Sequence, residues 1–389
     1  MNRKTLVKII TAFILWRLVL LAAAFFANDL LAYDPSFPYA EILLAGSNLP
    51  QWLYSWANFD GVHYLTIADK GYVGTGLIQA FFPVFPLLIK LTALLIGSQL
   101  IAGLVIANLA FVGVLIIGYR LTALDFDRST AWWWVLVTLT FPTSFYFGSV
   151  YTESLFLLLV FYSLWYIRHQ KNTISALLSG LSSGVRLVGS LLLPTLFLEL
   201  RKNNPTFNQL SWLQKIKKVS PLLLSALGLA AFMLFLQWQF SDPLYFFHVQ
   251  SEFGAGREET IVLLPQVLFR YVKILITARP FDWKYFTYVQ DLIMTVGGLV
   301  ILLLWWLEKE RDKFRISYLW YAAPALLLPT LTGTLSSMPR YLLVVFPIFM
   351  WLAAKLSKSG LIVKAIFLAI SISLLLINSL LFVQGYWVA

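Results

Sequence analysis

The chain has 389 residues, 60% hydrophobic and only 12% charged, with a mean hydropathy of +0.79. A soluble domain carries about twice that share of charge and cannot hide so much apolar surface, so the composition specifies an all-α polytopic membrane protein with room for about ten to twelve spans. Its net charge of +11 falls in short clusters between apolar runs, the pattern of cytoplasmic loops and not of a nucleic-acid surface. Cysteine is absent, and the three histidines, His63, His169 and His248, are scattered, which excludes disulfides and thiolate sites and argues against a histidine-rich metal site.

The first apolar run, 9–32, follows Arg3, Lys4 and Lys8, which hold the N-terminus in the cytoplasm. No small-residue cleavage site precedes Asn28, so the run reads as a retained span. Arg17 interrupts it, either paired inside the bundle or snorkelling to the interface. Residues 33–80 form the first extracytoplasmic loop. Its stretch 39–56 is aromatic and nearly uncharged, which suits an interfacial helix or a loop packed on the bundle. Next, QWLYSWANFDGVHYLTIADKGY at 51–72 places Asp60, His63 and Tyr64 at i, i+3 and i+4, on one face of a helix. Gly71, Gly74 and Gly76 make a flexible return.

The run 81–97 re-enters the membrane with Pro83 and Pro86 in its first turns. A second run, 101–119, leads to a short loop in which Arg120 and Arg128 flank Asp125 and Asp127. A third, 131–147, contains Pro142; Tyr151 and Glu153 follow in GSVYTES, before the run 155–167 and RHQK. The segment 172–200 lies between two basic clusters and so reads as a hairpin. Its tip is SSGVRLVG at 182–189, where glycine and serine let helices break or pack closely, and Arg186 points to the outer side.

After a cytoplasmic loop at 201–218 and a span at 221–238, the second extracytoplasmic loop, 239–286, carries Asp242 in an Asp-Pro turn and then Gln250. Its amphiphilic run 261–277 reads as interfacial. The span 289–307 ends in EKERDKFR, whose Lys309, Arg311, Lys313 and Arg315 mark the cytoplasm. The run 316–331 goes out, and GTLSSMPRY at 333–341 turns outside with Arg340. The run 342–354 returns to Lys355 and Lys358, and 361–383 goes out again. The total is about 11 spans. One parity conflict remains: only two apolar runs separate Asp60 from the 120–128 loop. Either one of them is re-entrant or the nearly neutral loop lies outside.

Several of these segments resemble one family together and in order. They are Asp60-Gly61-Val62-His63-Tyr64 with Ile67 and Gly71-Tyr72; Phe81-Phe82-Pro83-Val84-Phe85-Pro86; Tyr151-Thr152-Glu153-Ser154; Gly184-Val185-Arg186; Asp242-Pro243-Leu244 with Gln250; and Met338-Pro339-Arg340-Tyr341. The chain resembles a bacterial relative of the second mannosyltransferase of GPI-anchor synthesis, a family of the GT-C superfamily of integral-membrane glycosyltransferases. The pattern departs at Phe59, where the family usually has Trp, and at Val185, where it often has Thr.

The resemblance implies a GT-C-type fold forming one membrane domain. It also implies an inverting transfer, most readily of mannose, at the extracytoplasmic face of a bacterial inner membrane. The donor would be a polyprenyl-phosphate sugar and the acceptor a lipid-linked, glycan or protein hydroxyl. In that reaction one carboxylate takes the acceptor proton opposite the leaving group, which assigns Asp60 as base; the rival reading is that Asp60 caps a helix before Gly61. His63 would assist Asp60, hydrogen-bond the acceptor or bind a metal, or else be an interfacial histidine.

Glu153, flanked by apolar runs, needs a partner such as Arg186 or Arg340, or binds acceptor hydroxyls. Arg340 and Arg186 are the candidates for the donor phosphate, with snorkelling as the rival. Tyr64, Tyr151, Asp242 and Gln250 are placed near the substrate by the pattern alone, with packing or lipid-headgroup contact as the rival reading of Tyr64 and Tyr72; Asp34, Asp69, Arg279 and Lys284 are weaker candidates. A divalent metal, Mg or Mn, is a further possibility, since some GT-C enzymes use one. The competing reading is a transporter or flippase for lipid-linked saccharides, which would usually show internal repeats; none is found. A silent membrane scaffold is the other rival.

Overall fold

The computed structural model describes residues 1–72, 77–254, 256–258, 260–280, 282–308 and 316–388. Gly74, Gly76 and the basic residues Lys309, Arg311, Lys313 and Arg315 lie outside them. The described residues hold helices and turns and no strand. The longer helices, in chain order, are α1 (Arg3–Phe25), α2 (Asp60–Lys70), α3 (Val84–Ile96), α4 (Gln99–Asp125), α5 (Arg128–Thr140), α6 (Glu153–Arg168), α7 (Asn172–Ser183) and α8 (Leu192–Lys202). They continue as α9 (Trp212–Phe240), α10 (Leu264–Thr277), α11 (Trp283–Leu307), α12 (Leu319–Thr330), the single turn α13 (Met338–Leu342), α14 (Phe346–Lys358) and α15 (Leu361–Val383).

Five of these, α1, α4, α9, α11 and α15, are long and apolar enough to cross a membrane. Their outer faces carry largely exposed apolar side chains, such as Trp238 on α9 and Leu361 on α15, which water would not tolerate in such number and lipid does. The chain is a multi-pass membrane protein. The remaining apolar runs fold into shorter pieces. Between residues 81 and 168 only α4 has full length, and the thirteen-residue α3 is about 20 Å long, short of the hydrocarbon core. The run 131–147 stops at Thr140 because Pro142 pushes Phe141 out of the helical region, to ψ 138°; a tight turn, Ser144–Gly148, follows.

The stretch 39–56 is not one interfacial helix. It is a succession of short turns, and Trp56 at its end is fully buried in the core. Residues 172–200 do form a broken pair: α7 ends at Ser183, Arg186 is extended (φ −151°), and α8 starts at Leu192. Arg17 is turned inward over the ring of Trp56, at 4.8 Å.

Two features hold the bundle. Where α7 crosses α9 the backbones touch: a Cβ on Gly228 would lie 2.3 Å from the Gly180 carbonyl oxygen and 2.4 Å from the Gly184 nitrogen. Only small residues permit that crossing. The second is a buried ion cluster. Arg168, the last residue of α6, contacts Asp125 at 3.1 Å and Glu199 at 3.2 Å. Tyr318 donates to Asp125 at 2.8 Å and Ser317 to Glu199 at 2.5 Å. This cluster ties α4, α6 and α8 to the residues that lead into α12. Glu153 begins the same α6, fifteen residues and about 22 Å away. The two buried charge clusters therefore occupy opposite ends of the bundle.

Candidate active site

Three helix starts converge at the end marked by Glu153. Asp60 is the first residue of α2, Glu153 the first of α6, and Arg340 lies in the first turn of α13. The unsatisfied amides at a helix start favour negative charge, so both carboxylates are well placed as anions. The residue before α2 is Phe59, at φ 58° and ψ −118°, which a side-chain-bearing residue adopts at a cost of about 1–3 kcal/mol. Its ring is fixed between Phe37 (4.7 Å), Phe382 (5.7 Å) and Trp387 (5.1 Å). An aromatic residue at this position thus serves as the peg that sets the entry angle of α2. Phe59 is also the N-cap, with no side-chain cap bond. The helix-cap reading of Asp60 is thereby corrected: its carboxylate turns to Arg340.

The backbone around Asp60 is tied down from two sides. Its N–H donates to Tyr151 Oη at 3.2 Å, and Tyr151 Oη–H donates to the Asn58 carbonyl at 2.9 Å. Asn58 Nδ2 in turn donates to the Phe382 and Val383 carbonyls at the end of α15, at 2.8 and 3.3 Å. Arg340 is positioned by Ser337, whose φ of 71° turns the chain into α13, and by Thr143 Oγ1, which donates to the Pro339 carbonyl at 2.8 Å.

The charges alternate along one line. Arg340 Nη1 contacts Asp60 Oδ2 at 2.5 Å, and Arg340 Nε lies 3.9 Å from Glu153 Oε1. Arg186 Nη1 reaches that same Glu153 oxygen at 2.5 Å and donates to Thr152 Oγ1 at 3.1 Å. Glu153 is fully buried, so two arginine neighbours are what keep it tolerable there. Arg340 is further framed by the rings of Tyr146, Tyr151 and Tyr341, 5.3–5.6 Å from its guanidinium carbon. Burial raises the Asp60 pKa, but Arg340, then His63 and more weakly Arg257, outweigh it and hold the carboxyl below its ordinary range. His63 is pushed the other way, since burial disfavours its cation more than Asp60 favours it. At neutral pH the pair is therefore a carboxylate beside a neutral imidazole.

These groups open onto a cavity of about 620 Å³. Its polar floor is Asp60, Glu153, Arg186 and Arg340, and its walls are mostly aromatic and aliphatic, among them Phe81, Phe82, Phe246 and Phe253. His63 stacks on Phe81 at 4.8 Å. The family model described as Mannosyltransferase (PIG-V) matches residues 5–299. The chain belongs to this mannosyltransferase family. The match takes in Asp60, Glu153 and Arg186 and ends before Arg340.

Among solved structures, the chain is similar to the crystal structure of the Archaeoglobus fulgidus oligosaccharyltransferase complex with Zn and sulfate. The identity is 12% and the TM-score 0.39, over 95% of this chain and 53% of that one, so the mannosyltransferase family member spans about half that protein's length. No curated protein matches its sequence.

In this family member the cavity brings together Asp60, His63, Tyr64, Glu153, Arg186, Gln250 and Arg340. Tyr151 lies behind the floor as the clasp on Asp60 and does not line the cavity. Asp242 is outside it as well. Its Oδ2 takes His248 Nδ1 at 2.7 Å in a solvent-facing turn, and that hydrogen bond lowers its pKa. Asp34, Asp69, Arg279 and Lys284 do not line the cavity either.

Sequence reasoning missed three contributors. Tyr146 and Tyr341 flank Arg340, and Arg257 reaches the cavity from the second loop. The Met-Pro-Arg-Tyr motif did contain Tyr341; nothing local marked the other two. Among the described residues no three His, Cys, Asp or Glu side chains cluster as metal ligands, and the Asp60 and Glu153 carboxylates face arginines. That donor set does not fit a divalent ion.

Proposed function

We propose that the protein is a GT-C-type inverting mannosyltransferase. It moves the sugar from a polyprenyl-phosphate donor to a lipid-linked, glycan or protein hydroxyl. The observation that carries this reading is the Asp60–Arg340 pair, 2.5 Å apart on the floor of an aromatic cavity. One cavity then holds both parts the reaction needs: a carboxylate to accept a proton and a cation to meet a phosphate.

The acceptor hydroxyl gives its proton to Asp60 as its oxygen bonds to the anomeric carbon. The bond from that carbon to the donor phosphate oxygen breaks on the opposite face, and the electron pair leaves with polyprenyl phosphate. Arg340 and Arg186 stabilise the charge that gathers there. Glu153 Oε2 is buried and makes no hydrogen bond among the described residues, which leaves it as an acceptor for a substrate hydroxyl. Phe81 and Phe253, with His63 beside them, offer flat faces to a sugar ring. The apolar wall from Ala325, Leu328 and Ile261 suits a prenyl chain.

The face follows from charge. Lys355 and Lys358 close the end of α14 away from Arg340, and Arg168, Arg201 and Lys202 also end helices there. The positive-inside rule supports reading that end, with the N-terminus, as cytoplasmic and the cavity as extracytoplasmic, and the setting we propose is a bacterial inner membrane. The test is transfer of radiolabelled mannose from polyprenyl-phosphate mannose by purified full-length protein, with a panel of lipid-linked and glycan acceptors. Transfer with inversion is expected. No transfer or hydrolysis with any donor and acceptor would remove the reading.

A further inference from the structure

The cavity floor is electrically self-satisfied. Two carboxylates and two guanidiniums alternate along it, separated by 2.5, 3.9 and 2.5 Å. A phosphodiester entering this floor brings a further negative charge, and its departure as a monoester adds more. A network whose cations already have carboxylate partners gives that anion little net attraction, because each new contact weakens an existing one.

Among the described residues, one cavity-lining cation lacks such a partner. Arg257 comes from the second loop, and among the described residues no carboxylate lies within 4.0 Å of it. Its neighbour Glu258 also lines the cavity but is paired with Arg270, at 2.6 Å, and Glu252 lines the cavity as well. What holds Arg257 is weak and leaves its fork available: the face of Phe253 at 5.4 Å and a 3.4 Å hydrogen bond to Gln250 Oε1. Its field nonetheless reaches the reaction groups, since it helps to keep Asp60 ionised. Phe253 also packs edge-on to His63 and Phe81, so the support of Arg257 is continuous with the wall of the cavity.

Resting on the glycosyl-transfer reading of this cavity, we infer that Arg257 is the cation that captures the donor's phosphate. Phe253 and Gln250 hold it, and Arg340 and Arg186 act on the same phosphate only as charge develops. Arg257 therefore sets affinity for isoprenoid phosphates, and its loss falls on KM for the donor more than on kcat.

The experiment compares wild type, R257Q and R257K as full-length protein in detergent or nanodiscs. Two quantities are read: binding of sugar-free polyprenyl monophosphate, by quenching of intrinsic tryptophan fluorescence, and donor KM and kcat. R257Q is expected to weaken binding about tenfold or more and to raise donor KM by a similar factor, while R257K, a point charge without the fork, recovers part of both. Unchanged binding in R257Q overturns the inference, and so does a loss confined to kcat. A wild type that does not bind the monophosphate overturns it too. Binding that is lost in R257Q, with no sugar transfer by the wild type, keeps the phosphate site and sinks the transferase reading instead.

Discussion

Replacing Asp60 by Asn tests its role as base directly, because Asn matches Asp in size and shape but cannot take a proton. The side chain keeps its shape, and its remaining carbonyl can still accept from Arg340. What is lost is the negative charge on that acceptor, which strips the 2.5 Å contact of its charge assistance and costs at most about 1.5–3 kcal/mol of stability. Arg340 is not stranded, since Glu153 lies 3.9 Å away and three tyrosine rings surround it. The protein should therefore still fold.

The effect on catalysis is larger. A positioned general base contributes about 10²–10⁴ in rate, which at 1.36 kcal/mol per tenfold is about 3–5.5 kcal/mol of barrier. D60N should thus be purified as a folded protein with a modestly lower melting temperature and turn over at least about a hundredfold more slowly. The assay is radiolabelled mannose transfer at saturating donor, paired with thermal unfolding in the same detergent. Turnover within about tenfold of wild type in folded D60N would refute the assignment of Asp60 as base.

Two further outcomes follow from the same charges. The Asp60 carboxyl lies below its ordinary range because Arg340, with His63 and Arg257, outweighs burial, so activity depends on a deprotonated group and is lost as pH falls through that depressed pKa. In R340Q burial is left with less opposition, and the acid limb of whatever activity remains should move to higher pH; an unmoved limb in kcat/KM against pH would break the link between the two residues. At the far end of the bundle, Arg168→Met removes a buried cation from between Asp125 and Glu199 and should cost about 3–5 kcal/mol. Because α6 keeps that cluster about 22 Å from Glu153, the loss should appear as a lower melting temperature and yield, while specific activity of the folded fraction stays near wild type.

The charged residues of the floor were legible because each interrupts apolar sequence. Glu153 between two hydrophobic runs, Arg186 in a Gly and Ser break and Arg340 after a proline all pose the same question: what partner makes burial tolerable. The sequence could list the candidate partners but could not say that one arginine, Arg340, would lie between two carboxylates. Arg257 was not legible. It stands in a loop rich in charges, and nothing in the linear order tells an arginine that faces a cavity from one that faces water.

Asp242 lies outside the cavity for the opposite reason. The Asp-Pro signal was real, but its chemistry is local, ending at His248 six residues on. Helix ends were hard to place because hydropathy counts apolar residues without saying where hydrogen bonding stops. The run 131–147 is continuous by composition and yet breaks at Phe141, and α12 continues through Pro324 and Pro329.

Phe59 joins these threads. Its strained backbone and three aromatic neighbours aim α2 so that Asp60 meets Arg340. Until a donor arrives, that contact keeps Asp60 a weak base, because the arginine stabilises the carboxylate and not the acid. As the bond to the phosphate breaks, the charge gathering there draws on Arg340 and loosens this hold while the carboxyl remains buried, and burial alone pushes its pKa up. On the proposed reaction, the departure of the phosphate therefore strengthens the base at the moment the acceptor proton moves.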